Sequence, residues 1–261
     1  MLHGLSNDAL YSAFKVVAEF ESPDGTKKAG SGTGFFIKNS REDAYFVTNR
    51  HVLDLAFANP KYLQFKLISL RLIGRSASPG STLHDVEQSF ELQDVECRFH
   101  PDRANDIACI VKPQGVRSST IPVSSVIPIS WLASRSEFAN SFSVCDFVAF
   151  PGFPRWEDVR GKRPIFRTGT IASDPRFNYS NTSEDMGDCL AYEAFSYDGS
   201  SGSPVFSLQK GPRPGSGITF SDFREVRLIG INAGHLKNDE HSHSGMSYLY
   251  KSYAILELID P

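Results

Sequence analysis

The chain has 261 residues, 40% hydrophobic and 12% aromatic, enough apolar material for one large domain or two small ones. Its 27 basic and 30 acidic side chains leave a formal net charge of −3, which gives no electrostatic footprint for nucleic acid or an anionic membrane. No stretch approaches the roughly 18 apolar residues of a membrane span, and the N-terminal MLHGLSNDALYSAFKVV carries Asp8 and Lys15 where a secretory signal needs an apolar core.

The first expected element is a short helix over SNDALYSAF, which Ser6 can cap. Strands follow at residues 13–21, 34–38, 44–49 and 63–73, each rich in Val, Ile, Phe or Tyr and closed off by Gly, Pro, Asn, Asp or Ser. HVLDLAF, opening at His51, reads as a short helical turn. Further strands are expected at 90–99 and 106–111, with surface loops at 74–85 and 112–125, and the proline-rich 113–130 reads as a crossover between two halves. The second half continues with strands at 143–151, 163–172, 189–195, 203–208 and 225–233, and with a loop at 209–224. KSYAILELI at 251–259 has helical apolar spacing and should close the structure. Strands far outnumber helices, so the expected fold class is all-β, a barrel or a sandwich. Cys97, Cys109, Cys145 and Cys189 are far apart and form no CxxC pair; without a secretory signal they are expected as reduced thiols in a cytoplasmic protein.

SYDGSSGSPVF (196–206) places glycines on both sides of a serine and turns apolar at once, so it reads as a tight turn feeding a strand. Glycine accepts backbone angles that a side chain forbids, which lets N–H groups converge on one spot, as acyl transfer requires of an oxyanion site. A Gly/Ser hairpin loop is the plain alternative. A nucleophilic serine needs a base within hydrogen-bond reach and a group that orients the base. His51 stands at a strand end, and Asp106 opens an apolar strand, where a buried carboxylate needs a partner. Asp102 lies in the same loop as a rival, and Ser200 and Ser203 flank Ser201. HSH at 241–243, near His235, has no Cys or carboxylate cluster at ligand spacing and reads as a loop, so neither metal nor cofactor is expected.

GSGTGFFI (30–37), FVTNRHVLD (46–54), NDIACIV (105–111), DGSSGSPVF (198–206) and LIGINAGH (228–235) together resemble the ordered landmarks of the trypsin/chymotrypsin-like serine peptidases. The likeness spans roughly residues 13–258 and is greatest to disulfide-poor bacterial peptidases of the HtrA and glutamyl-endopeptidase types. It implies two six-stranded antiparallel β-barrels with a C-terminal helix in a single peptidase domain over 1–261, with His51 and Asp106 in a barrel over 1–118 and Ser201 in one over 119–261. It implies Ser201 as nucleophile, His51 as general base, Asp106 as the residue orienting the imidazole, and the N–H groups of Gly199 and Ser201 as the oxyanion hole. Ser201 alone among its neighbours has Gly199 two residues before it and Pro204 three after.

The same resemblance implies a substrate pocket from Phe195, Asp198, Asn232, Ala233 and Gly234. With Phe195 six positions before Ser201 and no acid there, a small or apolar residue before the cleaved bond is expected, unless Glu193 or Asp198 shifts the register. Secreted zymogen-type members carry aspartate where Ser200 stands, so activation by an N-terminal ion pair is not expected. HtrA-type chains add a peptide-binding domain, and the chain's end at Pro261 points instead to a regulatory protein acting in trans on loops such as 74–85 or 209–224. The expected activity is serine endopeptidase on protein substrates, with no nucleic acid or membrane partner. The alternatives are a catalytically silent peptide-binding module that adds a substrate strand to a sheet edge, and a partner-activated effector of a stress or phage-defence system.

Overall fold

Alternation in AFKVVAEFE puts Phe14, Val16, Ala18 and Phe20 on one buried face of strand β1 (Ala13–Glu21), as a half-buried strand requires. The computed structural model describes residues 5–93, 95–117, 121–211, 223–238 and 242–260. Helix α1 (Asn7–Tyr11) is five residues long; of the rest of the expected first helix, Ser6 and Ser12 flank it and Ala13 and Phe14 belong to β1. The first sheet continues with β2 (Lys27–Lys38), β3 (Ala44–Thr48), β4 (Lys66–Ser76), β5 (Val86–Leu92), β6 (Cys97–Phe99), β7 (Ala108–Val111), β8 (Val116–Arg117) and β9 (Ile127–Pro128). Its order is β6-β7-β3-β2-β1-β4-β5-β8, with β9 paired to β2. Helices α2 (Arg50–Leu53) and α3 (Leu55–Ala58) follow β3.

The second half opens with α4 (Arg135–Asn140), capped by a reciprocal Ser134–Glu137 box. A closed barrel follows, in the order β10-β11-β12-β15-β14-β13. Its strands are β10 (Phe147–Gly152), β11 (Ile165–Ile171), β12 (Cys189–Glu193), β13 (Pro204–Ser207), β14 (Arg227–Lys237) and β15 (His243–Lys251), and α5 (Ser252–Ile259) packs on its end. This is the expected all-β double barrel with a C-terminal helix. The first half has nine strands because three of them, β6, β8 and β9, are ribbons of two or three residues added to six longer ones.

Several boundaries differ from the sequence expectation for physical reasons. Residues 90–99 divide into β5 and β6, which pair with different neighbours, β4 and β7. β2 begins before Gly30 and runs through the Gly/Ser stretch, because bare Cα atoms are needed there: a Cβ on Gly34 would enter the Phe46 ring, and one on Gly32 would lie 2.9 Å from Val52. β15 and α4 were not expected. Of the loop expected at 209–224, residues 212–222 lie outside the described residues, as does His241.

One apolar cluster holds the halves together. Phe35, Ile37, Tyr45 and Val47 of the first sheet share it with Phe150, Tyr192, Phe206 and Ile231 of the second barrel and with Tyr253, Ile255 and Ile259 of α5. A second cluster, centred on Phe14, Phe36, Phe46 and Phe90, fills the first barrel alone.

Candidate active site

Antiparallel pairing of β3 with β7 sets Thr48 opposite Ala108. Continued past the strand ends, that register brings the start of α2 against Asp106, whose carbonyl accepts from Asn49 Nδ2 at 2.7 Å and from the Arg50 N–H at 3.4 Å. The Asp106 carboxylate then meets His51 twice, accepting its backbone N–H at Oδ1 (2.9 Å) and contacting Nδ1 at Oδ2 (2.5 Å). Holding the proton on Nδ1 leaves Nε2 as the free lone pair of the ring. Burial alone would lower the His51 pKa, but the Asp106 charge and hydrogen bond outweigh it and raise the imidazole above its ordinary 6.5. The rival, Asp102, instead accepts the N–H of Ala104 and closes its own turn.

The serine turn is closed by the Ser200 N–H on the Tyr197 carbonyl at 2.8 Å. Gly199 occupies its third position with φ +93°, as a type II turn demands of that residue. Gly202 follows with φ +91°, and a Cβ there would strike the Thr33 carbonyl. Backbone donors along the turn divide cleanly: the N–H groups of Ser200, Gly202 and Ser203 bond to Tyr197, Asn232 and Ser200 carbonyls, whereas those of Gly199 and Ser201 have no acceptor among the described residues. The Ser201 hydroxyl donates to the Ala233 carbonyl at 3.3 Å.

Thr33, fully buried in β2, carries this turn on the first barrel. Its N–H donates to the Ser201 carbonyl (2.7 Å), its Oγ1 donates to the Gly199 carbonyl (2.7 Å) and accepts from Phe153 N (3.1 Å), and its carbonyl accepts from Thr48 Oγ1 (2.7 Å). Thr48 ends β3, two residues before α2 begins. A single residue, through its backbone and its side chain, therefore links the serine turn to the strand that delivers His51.

The family model described as trypsin-like peptidase domain matches residues 32–212, more than half of the chain. The chain belongs to the trypsin-like peptidase family. No curated protein matches it. Among solved structures, this trypsin-like peptidase is similar to Deg5 (14% identity, TM-score 0.52, covering 96% of this chain and 88% of that one). It is also similar to the Rv3671c protease from M. tuberculosis in its active form (14%, 0.53, 97% and 83%). A third likeness is to the HtrA-type protease AlgW with a decapeptide (14%, 0.54, 96% of this chain but 63% of that one). At such identity these neighbours share the fold, and the family makes the chain a peptidase hydrolase.

In this trypsin-like peptidase a cavity of about 180 Å³ opens beside Ser201, lined by Ser196, Tyr197, Asp198, Asn232, Gly234, His235, Lys237 and Tyr248. Asp198, Asn232 and Gly234 thus stand on its wall as expected pocket residues. Ala233 is not on the wall and instead supplies the carbonyl that accepts from Ser201. Phe195 is not on the wall either; it is 54% exposed, with its ring 4.9 Å from that of His243. Asn232 is committed to the scaffold, accepting the Tyr192 hydroxyl at 2.6 Å and donating to the Ser200 carbonyl at 2.8 Å. His243 stands on β15 rather than in a loop, and stacks on His235 at 4.4 Å between centroids. Sequence reasoning missed Thr33, Ser196, His235, Lys237 and Tyr248. Thr33 lay inside a quoted landmark, but its role arises only where the barrels meet. His235, Lys237 and Tyr248 become visible once β14 and β15 are paired, setting Gly234 opposite Tyr248, and Ser196 joins them by donating its hydroxyl to the Gly234 carbonyl at 3.2 Å.

Proposed function

We propose that this peptidase is a serine endopeptidase acting through an acyl-enzyme on protein substrates. The observation that carries the reading is the pair of hydrogen bonds that the Asp106 carboxylate accepts from His51, which leaves Nε2 free as a base. Nε2 takes the Ser201 proton as Oγ attacks the substrate carbonyl carbon. The resulting oxyanion is received by the unpaired N–H groups of Gly199 and Ser201, each worth about 3 kcal/mol in such a role. The imidazolium returns its proton to the leaving amine as the C–N bond breaks, and a water activated by the same ring then hydrolyses the ester. Unpaired Cys97, Cys109, Cys145 and Cys189 support a reducing, cytoplasmic setting.

The Ser201–Ala233 contact favours a second reading, a latent chain whose hydroxyl turns to His51 only when a substrate or regulatory protein engages the cleft. Fluorophosphonate labelling followed by intact-mass measurement tests both. Labelling of the wild type and its loss in Ser201→Ala support the enzyme. Labelling that requires added lysate supports latency, and none in either case leaves a silent peptide-binding module.

A further inference from the structure

Between β10 and β11 the chain leaves the second barrel and crosses onto the first. Side chains of the first barrel fasten this strap, residues 153–164. Lys15 of β1 pairs with Glu157, Arg75 Nε of β4 donates to the Gly161 carbonyl at 2.7 Å, and Lys162 on the strap reaches Glu87 of β5 at 2.8 Å. The Lys162–Glu87 pair is exposed and contributes little. Lys15–Glu157 is different. The Glu157 side chain is only 10% exposed, its Oε2 is buried without a donor among the described residues, and Lys15 is the cation that meets its charge. A carboxylate buried in this way is strongly destabilising once its partner is removed, so the strap stays seated while Lys15 holds it. Lys15 stands opposite Thr33 in the β1–β2 register, and the two side chains leave the same face of the sheet. Both reach the strap, since Thr33 Oγ1 accepts the Phe153 N–H at 3.1 Å.

The strap in turn holds a peptide plane of the serine turn. The Arg155 N–H donates to the Asp198 carbonyl at 3.1 Å. In a trans peptide the carbonyl and the following N–H point opposite ways, so this bond turns the Gly199 N–H away from the strap, where it is left without an acceptor among the described residues. Asp198–Gly199 is the central peptide of the turn that the Ser200 N–H closes on Tyr197. Type I and type II turns share that closing bond and differ by a half-rotation of the central plane, which reverses the sign of φ at the third residue. Glycine accepts either sign, so the φ of +93° at Gly199 is set by what surrounds the turn. Rotated, the plane presents the Asp198 carbonyl, an acceptor, where a developing oxyanion needs a donor.

Resting on the reading of the Gly199 N–H as an oxyanion donor, we propose that Lys15 and Glu157 are positioning residues for catalysis. Their ion pair seats the strap on the first barrel, and the strap keeps the Asp198–Gly199 peptide turned with its N–H toward the reacting carbonyl. Releasing the pair frees the plane to rotate and removes one oxyanion donor, with the Asp106–His51 contact left in place.

The test is the rate at which a fluorophosphonate labels Ser201, because its phosphoryl oxygen needs the same donors. It is measured beside the melting temperature and the downfield NMR resonance of the proton between His51 and Asp106. Lys15→Met, which strands the buried carboxylate, is expected to slow labelling by about tenfold or more, up to the roughly 10²–10³-fold that loss of an oxyanion donor brings. Glu157→Gln, which strands no charge, should slow it less, and it carries the same comparison should Lys15→Met not fold. The charge-reversed Lys15→Glu/Glu157→Lys should recover most of the rate. Lys38→Met, which breaks an exposed pair with Glu42, should leave the rate unchanged. In the slowed variants the downfield proton should persist, which a general collapse of the site does not allow. Loss of that proton together with the rate would overturn the assignment, as would wild-type labelling in both single variants or a reversed pair no faster than Lys15→Met. A wild type that the probe fails to label, with or without added lysate, would overturn the nucleophile reading itself, and this inference with it.

Discussion

Asp106 and His51 act on each other through charge, and pH separates their contributions. The carboxylate raises the imidazole above 6.5 against the opposing effect of burial, so the folded chain holds that proton more tightly than the unfolded one. The stability gained is fully present below the unfolded value and is lost as pH rises through the folded one. Under the proposed mechanism catalysis runs the other way, because the base must be neutral: kcat/KM should fall as pH drops through a midpoint above 6.5. In Asp106→Asn the raising charge is gone and burial remains, so the midpoint should move to lower pH while the plateau falls by about 10⁴-fold. A pH–rate profile of both proteins checks this, and an unmoved midpoint would refute it. These two residues were legible in the sequence because each is a polar group at the mouth of an apolar strand. Ser201 was legible through the glycines around it. Thr33 was not, since a buried threonine in a strand looks like any other until its partners on the opposite barrel are known.

Among the elements, β2 and the loop before β7 position the site from outside it. Thr33→Val keeps the shape of the side chain but removes the hydroxyl, leaving the Gly199 carbonyl and the Phe153 N–H without their partner. Stability should drop by about 1–3 kcal/mol, measured by denaturant titration, and kcat should fall with it as the serine turn loosens. The loop carrying Asp106 is fastened to the second barrel by Asn105, which donates to Asp188 Oδ2 at 3.1 Å and accepts from the Asp188 N–H at 2.8 Å. Asn105→Ala should lower kcat several-fold without a matching rise in KM, since it touches the loop and not the pocket; equal changes in both would argue against that role. β2 and β15 were hard to read for related reasons. In β2, glycines let Phe46 and Val52 pack onto the backbone, and the usual strand residues are missing because their space is taken. In β15 only one of the first six residues is buried, so the apolar signal arrives late and merges with that of α5. The capping box at Ser134 and Glu137 was in plain view as S-x-x-E, but the short helix behind it buries only Phe138 and gave little periodicity.

At the scale of the whole molecule, the shared cluster makes the two barrels one folding unit. Phe35 and Val47 of the first sheet are buried with Phe206 and Ile231 of the second barrel, so neither half can open its inner face to water alone. Calorimetry should give a single transition with matching calorimetric and van't Hoff enthalpies, and two resolved transitions would show independent halves. The double barrel was legible because landmark segments from both halves occur in order along the sequence. The number of strands was not, because ribbons of two residues such as β8 and β9 carry no pattern of their own. Thr33 adds a consequence for engineering. Because the carbonyl of Ser201 is gripped by a strand from the other half, a polypeptide severed between β9 and α4 holds the base on one fragment and the alcohol on the other. Reactivity toward a serine probe then reports reunion of the pieces, turning the chemistry into a gauge of complementation.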